Sequence, residues 1–150
     1  MNGFYKILEV IKDQLELDAF VNTVTQGDIF DVDLSKQSIF PLSHIIVNTV
    51  TKEKNVLRYS ISVLCMDIVD KSKAETTDIF VGNDNEQDVL NTQLAVALRV
   101  VEVFERGENT YRWVLDGNPT FEPFTERFEN YLSGWALSFD LLLPNDMTKC

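Results

Sequence analysis

Apolar and polar residues alternate without a break near the end of the chain. Trp135, Leu137, Phe139, Leu141 and Leu143 fall on one side, and Ala136, Ser138 and Asp140 on the other. That period of two predicts a strand from Ser133 to Leu143. Pro144 stops it, because proline brings no N–H to the ladder. The segment from His44 to Thr51 is rich in β-branched residues and predicts another strand. Lys52-Glu53-Lys54-Asn55 follows as a polar tip, and Val56 to Val69 as a longer strand, so the middle of the chain predicts an antiparallel hairpin. On the long strand Leu57, Tyr59, Ile61, Val63 and Cys65 share a face. Opposite them Arg58, Ser60 and Ser62 are polar, but Leu64, Met66 and Ile68 are apolar. The strand therefore needs cover on one side at its start and on both sides at its end, from a helix or a neighbouring subunit.

Two stretches follow a helical period instead. Phe4, Ile7, Leu8, Ile11 and Leu15 predict a helix over about residues 3–20. Val89, Leu90, Leu94, Ala97, Leu98, Val101 and Phe104 predict a second over about 86–106, capped by Asn85 and stopped by Gly107. Residues 22–28 read as a loop, 29–34 as a short strand with alternating acids, and 35–42 as a second loop. Residues 70–84 are a polar stretch around the apolar island Ile79-Phe80-Val81. Tyr111 to Leu115 predicts a short strand and Asp116-Gly117-Asn118-Pro119 a turn. Residues 121–132 fit either a helical face starting near Pro123 or an extended, irregular arm. This order predicts a single α+β domain over 1–150. Its expected core is an antiparallel (mixed) sheet with a long central hairpin and two amphipathic helices packed on one face.

Composition narrows the function classes. The 150 residues carry a formal net charge of −11, with a pI of about 4.4. A protein that binds nucleic acid by neutralising phosphates needs a basic surface, which this chain lacks overall. The acidity fits plain solubility, or a surface that DNA slides past without sticking. Two cysteines, Cys65 and Cys150, are too few for a disulfide framework, and residues 1–6 have no apolar signal core. No run of 18 apolar residues occurs, so no membrane partner is expected and the site of synthesis is expected to be reducing and intracellular.

The residues offer little chemistry. His44, the one histidine, opens an apolar strand. His44 and Cys65 both lie on the predicted hairpin, but a thiol on an apolar face behaves as an inert small hydrophobe. Asp78, Asp84, Glu86 and Asp88 cluster, yet their spacing does not match a calcium loop, and a capped helix start explains Glu86 and Asp88. Asp31 and Asp33 share a strand face, as charged edge strands commonly do. Gly82 and Gly107 stand alone, so no phosphate loop exists. No catalytic residue, metal or cofactor is expected. Binding surface remains: residues 121–131 mix Glu122, Glu126, Arg127 and Glu129 with four aromatic side chains, a composition that interfaces concentrate.

The segment Ile39-Phe40-Pro41, the long hairpin, the helix over 86–106, Phe124-Thr125-Glu126-Arg127-Phe128 and Leu132-Ser133-Gly134-Trp135-Ala136-Leu137-Ser138-Phe139 occur here in one order. In layout and size the chain resembles the tail-terminator and tail-completion proteins of tailed bacteriophages. The Gly-Trp that opens the last strand is the most similar part. The resemblance implies a structural virion protein, made in the bacterial cytoplasm and without catalytic residues. It would form a homo-hexameric or homo-dodecameric ring at the head–tail neck or tail end. Tail-tube, portal or connector proteins would stack against it, and DNA would pass through without being bound. Lys52, Glu53, Lys54 and Asn55 at the hairpin tip, with Phe121, Phe124, Arg127 and Tyr131 in the arm, are then the candidates for reaching neighbouring subunits. Removing residues 121–132 should in that case prevent assembly. Two other classes stay open: a small acidic adaptor or inhibitor that binds a basic protein, and an enzyme with perturbed carboxylates near His44.

Overall fold

The computed structural model describes residues 3–28, 37–69, 85–105, 113–127 and 132–144. It is α+β, with a five-stranded mixed sheet and two helices. Helix α1 spans Gly3–Glu16, strand β1 Thr23–Gln26, β2 Leu42–Lys52, β3 Val56–Ile68, helix α2 Glu86–Glu105, β4 Val114–Arg127 and β5 Leu132–Pro144. A single 3-10 turn, Gln37–Ile39, precedes β2. The strand order is β1-β2-β3-β5-β4. Only the β1–β2 pair is parallel.

The register explains the layers. Leu57, Tyr59, Ile61 and Val63 pair with Leu143, Leu141, Phe139 and Leu137. Side chains of directly paired residues point to the same face, so these eight form one apolar surface. Val96, Ala97, Val100, Val101 and Phe104 of α2 cover it, and Ile7, Ile11 and Leu15 of α1, beside α2 and β1, complete the main core. Both helices therefore lie on one face of the sheet, as the apolar stripes require.

A second, smaller core lies on the opposite face at the far end of the sheet. Leu42, Met66, Leu132, Phe124 and Phe40 are buried there, with Ile39, Leu64 and Ile68 packed against them. The additional cover that Leu64, Met66 and Ile68 demanded comes from the chain itself, from Ile39 and Phe40 ahead of β2 and Phe124 of β4.

Four expectations change. Helix α1 ends at Glu16 rather than near residue 20, because Asp18 stops it. The Asp18 backbone N–H donates to Leu15 O at 3.1 Å, its carboxylate accepts from the Phe20 N–H at 3.0 Å, and the same carboxylate pairs with Arg99 of α2. Residues 23–26, read as loop, form β1, which pairs with Leu42 to Ile45. The buried stripe of α2 is Val89, Gln93, Val96, Ala97, Val100, Val101 and Phe104. Leu98, expected inside, is 43% exposed. The helix is apolar on more than one side, so two stripes compete, and packing selects the one that places Gln93 inside.

The last change is the largest. Residues 114–127 form one long strand rather than a strand, a turn and then a helical face or arm. Asp116 pairs with Asp140 and Thr120 with Ser138, so three residues oppose one and the turn sequence makes a bulge. Gly117 supplies the φ of +70° that the bulge needs. The expected strand over 29–34, the stretch 70–84 and the Gly107 stop lie outside the described residues.

Candidate functional site

The sheet face away from the helices divides into two halves. Its far half carries the smaller core. Its near half, at the hairpin end, is polar and open. Asn48 Nδ2 donates to Ser62 Oγ at 2.8 Å, and Ser62 and Ser138 share a hydrogen bond of 3.2 Å across β3 and β5. Arg58 of β3 anchors an ion network beside them. Its Nε donates to Glu53 Oε1 at 3.0 Å, and its Nη1 contacts Asp116 and lies 3.6 Å from Asp140. One guanidinium thus faces three carboxylates drawn from the hairpin turn, β4 and β5. Their charge holds the Arg58 guanidinium above its ordinary range, chiefly through its hydrogen bonds to Asp116 and Glu53.

The hairpin tip stands beyond this network. Val56 is already level with Pro144, the last residue of β5. Lys52, Glu53, Lys54 and Asn55 continue past it, all exposed, in a turn closed by the Glu53 N–H on Val56 O at 2.9 Å. Pairing with β1 ends at Ile45, so among the described residues the rest of β2 has an open outer edge. A bulge between Val47 and Thr49 brings Val50 level with Tyr59, and Val50 is 47% exposed.

The other candidates lie at the opposite edge. Phe121 is half-buried against the main core, and Phe124 is buried in the smaller one. Their rings are structural, held inside rather than offered to a neighbour. Arg127 is the last residue of β4, level with Leu132. Tyr131 lies outside the described residues. The structure therefore does not bring the two candidate groups together; β5 lies between the β2–β3 hairpin and β4. The sequence places Arg58 on the polar face but does not show its ion network, and it singles out none of Val50, Val114 and Asp116. Asp116 could not be found because a turn, rather than a strand opposite Asp140, was expected there.

His44 and Cys65 do not meet. His44 pairs with Leu64 on the open face, whereas Cys65 pairs with Ser43 and lies in the main core. The imidazole is fully buried. Its Nε2–H donates to Gly27 O at 2.8 Å, and its Nδ1 accepts from the Thr25 hydroxyl at 2.6 Å. A carbonyl only accepts, so this arrangement fixes the neutral tautomer. Burial holds the imidazole below its usual range, against weaker opposing effects of the Gly27 hydrogen bond and the Asp28 charge. Burial likewise pushes the Cys65 thiol up to about 12. The histidine joins β1 to β2, and the cysteine fills space.

The Gly-Trp pair has a physical explanation. A Cβ on Gly134 would stand 1.9 Å from the Cys65 carbonyl oxygen and 2.8 Å from Met66 Cα, so β5 approaches β3 too closely for any side chain. Next to it, Trp135 Nε1–H donates to Leu90 O of α2 at 2.7 Å. Ser133 Oγ donates to Glu86 Oε1 at 3.3 Å. The start of β5 is thereby pinned to the first turns of α2. The chain matches no protein-family model and no curated protein.

Proposed function

We propose that this protein is a ring-forming structural subunit of a tailed phage, placed at the head–tail neck or tail end. The observation that carries the reading is a sheet with helices on one face only and two dissimilar ends. A free hairpin and open β2 edge lie at one side, and the bulged β4 strand at the other. A head-to-tail contact between unlike surfaces closes into a ring when the rotation per subunit allows it. Two identical surfaces would instead stop at a dimer. The layout shared with tail-terminator and tail-completion proteins points the same way. The net charge of −11 suits a lumen that DNA crosses without binding.

Prolines at Pro119 and Pro123 interrupt β4. An edge strand that carries proline is a poor template for strand addition, so the proposed contact is made by side chains more than by extending the sheet. Quantitative mass spectrometry of purified particles, from a phage carrying this gene, tests the reading. A fixed count of six or twelve copies per particle is expected. Absence from the particle contradicts it, and salt-sensitive one-to-one binding to a basic protein would identify an adaptor instead.

A further inference from the structure

We infer that the hairpin tip is a basic finger that docks on the acidic β4 strip of a second copy of this chain. The inference rests on the ring reading above and supplies its contact.

Charge bookkeeping over the described side chains singles the tip out. Lys6 pairs with Glu9 and Lys12 with Glu16. Arg58 is surrounded by carboxylates and Arg99 is paired with Asp18. Lys52 and Lys54 have no carboxylate partner among the described residues. Both are exposed, in a protein where acids outnumber bases by 24 to 13. Uncompensated positive charge at the end of a hairpin is therefore complementary to the protein's own surface. The tip also has an apolar component, since Val50 is 47% exposed on the same strand face as Lys52.

The matching surface lies on β4. Val114, Asp116, Thr120 and Glu122 pair with Leu142, Asp140, Ser138 and Ala136, so they share the open face of the sheet. Val114 is 57% exposed. Glu122 is exposed and has no cationic partner among the described residues. Asp116 and Asp140 share the single Arg58 guanidinium with Glu53, so the strip keeps an excess of negative charge. An exposed apolar residue among acids on β4 thus complements an exposed apolar residue near the lysines of the tip. Within one copy Arg58 links Glu53 to Asp116, but Lys52 and Lys54 pair with none of the strip's acids, so lysines and strip are both available when the subunits join head to tail.

The test is native mass spectrometry of the full chain across a concentration series, for the wild type, Lys52→Glu/Lys54→Glu, Glu122→Lys, and the combined swap. All three positions are exposed, and circular dichroism should give the same fold for each protein. The wild type is expected to form a closed oligomer. The lysine reversal should need at least about tenfold more protein to assemble, because each contact exchanges attraction for repulsion. Glu122→Lys should also weaken assembly, and the swap should recover it. A closed oligomer unaffected by Lys52→Glu/Lys54→Glu overturns the finger while leaving the ring intact. Loss by the lysine reversal with no recovery in the swap overturns the β4 strip as its receptor. A wild type that stays monomeric at every concentration overturns the ring reading and the contact with it.

Discussion

At the scale of single residues, three positions set the tolerances of the fold. Gly134 has no room for a methyl group, because the Cys65 carbonyl occupies the position. Gly134→Ala should destabilise by about 1–3 kcal/mol, the usual range for overpacking, or prevent folding. Gly117→Ala meets nothing within 4 Å and has only its φ of +70° to strain it, so it should cost about 1 kcal/mol. Urea midpoints for the two variants check this; equal losses would contradict the close approach at Gly134. Trp135→Phe keeps the ring and loses the hydrogen bond to Leu90 O. It should cost about 1 kcal/mol, read from the same melts, and no change would mean that the bond contributes nothing. His44 predicts the pH response. Its folded pKa lies below the ordinary value of 6.5, so the unfolded chain binds the proton more readily. Stability from this group is present above pH 6.5 and lost as pH falls below it toward the folded value. The single histidine gives one pair of imidazole C–H resonances, and an NMR titration midpoint at or above 6.5 would refute the buried neutral form.

At the scale of elements, what was legible follows from periodicity and what was missed follows from partners. The hairpin, α2 and β5 each bury a long stripe of large apolar residues, and that period survives in the sequence. Strand β1 is four residues with one apolar side chain, Val24; its pairing to β2 and the His44 bonds define it, and neither shows in a local pattern. Strand β4 was hidden by its own irregularity. Asp116-Gly117-Asn118-Pro119 has turn chemistry, which here serves a bulge within a strand. Pro123 broke the rest of the pattern. The stop of α1 at Asp18 depends on Arg99, 81 residues away in sequence. For the candidate site, the exposed tip at 52–55 was readable as a polar turn. Phe121 and Phe124 were read as surface because their segment was read as an arm. Since residues 121–127 pair with β5 and Phe124 fills the smaller core, deleting 121–132 removes part of two strands. That deletion should unfold the domain, seen as loss of the cooperative thermal transition. A folded deletion variant would restore the idea of a detachable arm. Phe124→Ala tests the same core more gently, with an expected loss of about 3 kcal/mol, the lower end for a buried Phe.

At the scale of the whole molecule, the helices cover one sheet face and leave the other half open. The covered face accounts for stability through the main core. The open face holds an ion network with more acid than base, and beyond it stands a hairpin whose two lysines have no carboxylate partner among the described residues. An isolated subunit therefore carries basic side chains at the tip and acidic ones on β4, and the proposed contact with a second copy would pair them. Surface ion pairs are individually weak, but a closed ring repeats each contact at every subunit, and their dependence on salt follows from screening. Native mass spectrometry of the 150-residue chain, from low to high concentration at low ionic strength, tests the account most directly. It predicts a single closed species of six or twelve subunits that gives way to monomer as salt is raised. A monomer at every concentration and ionic strength would contradict it.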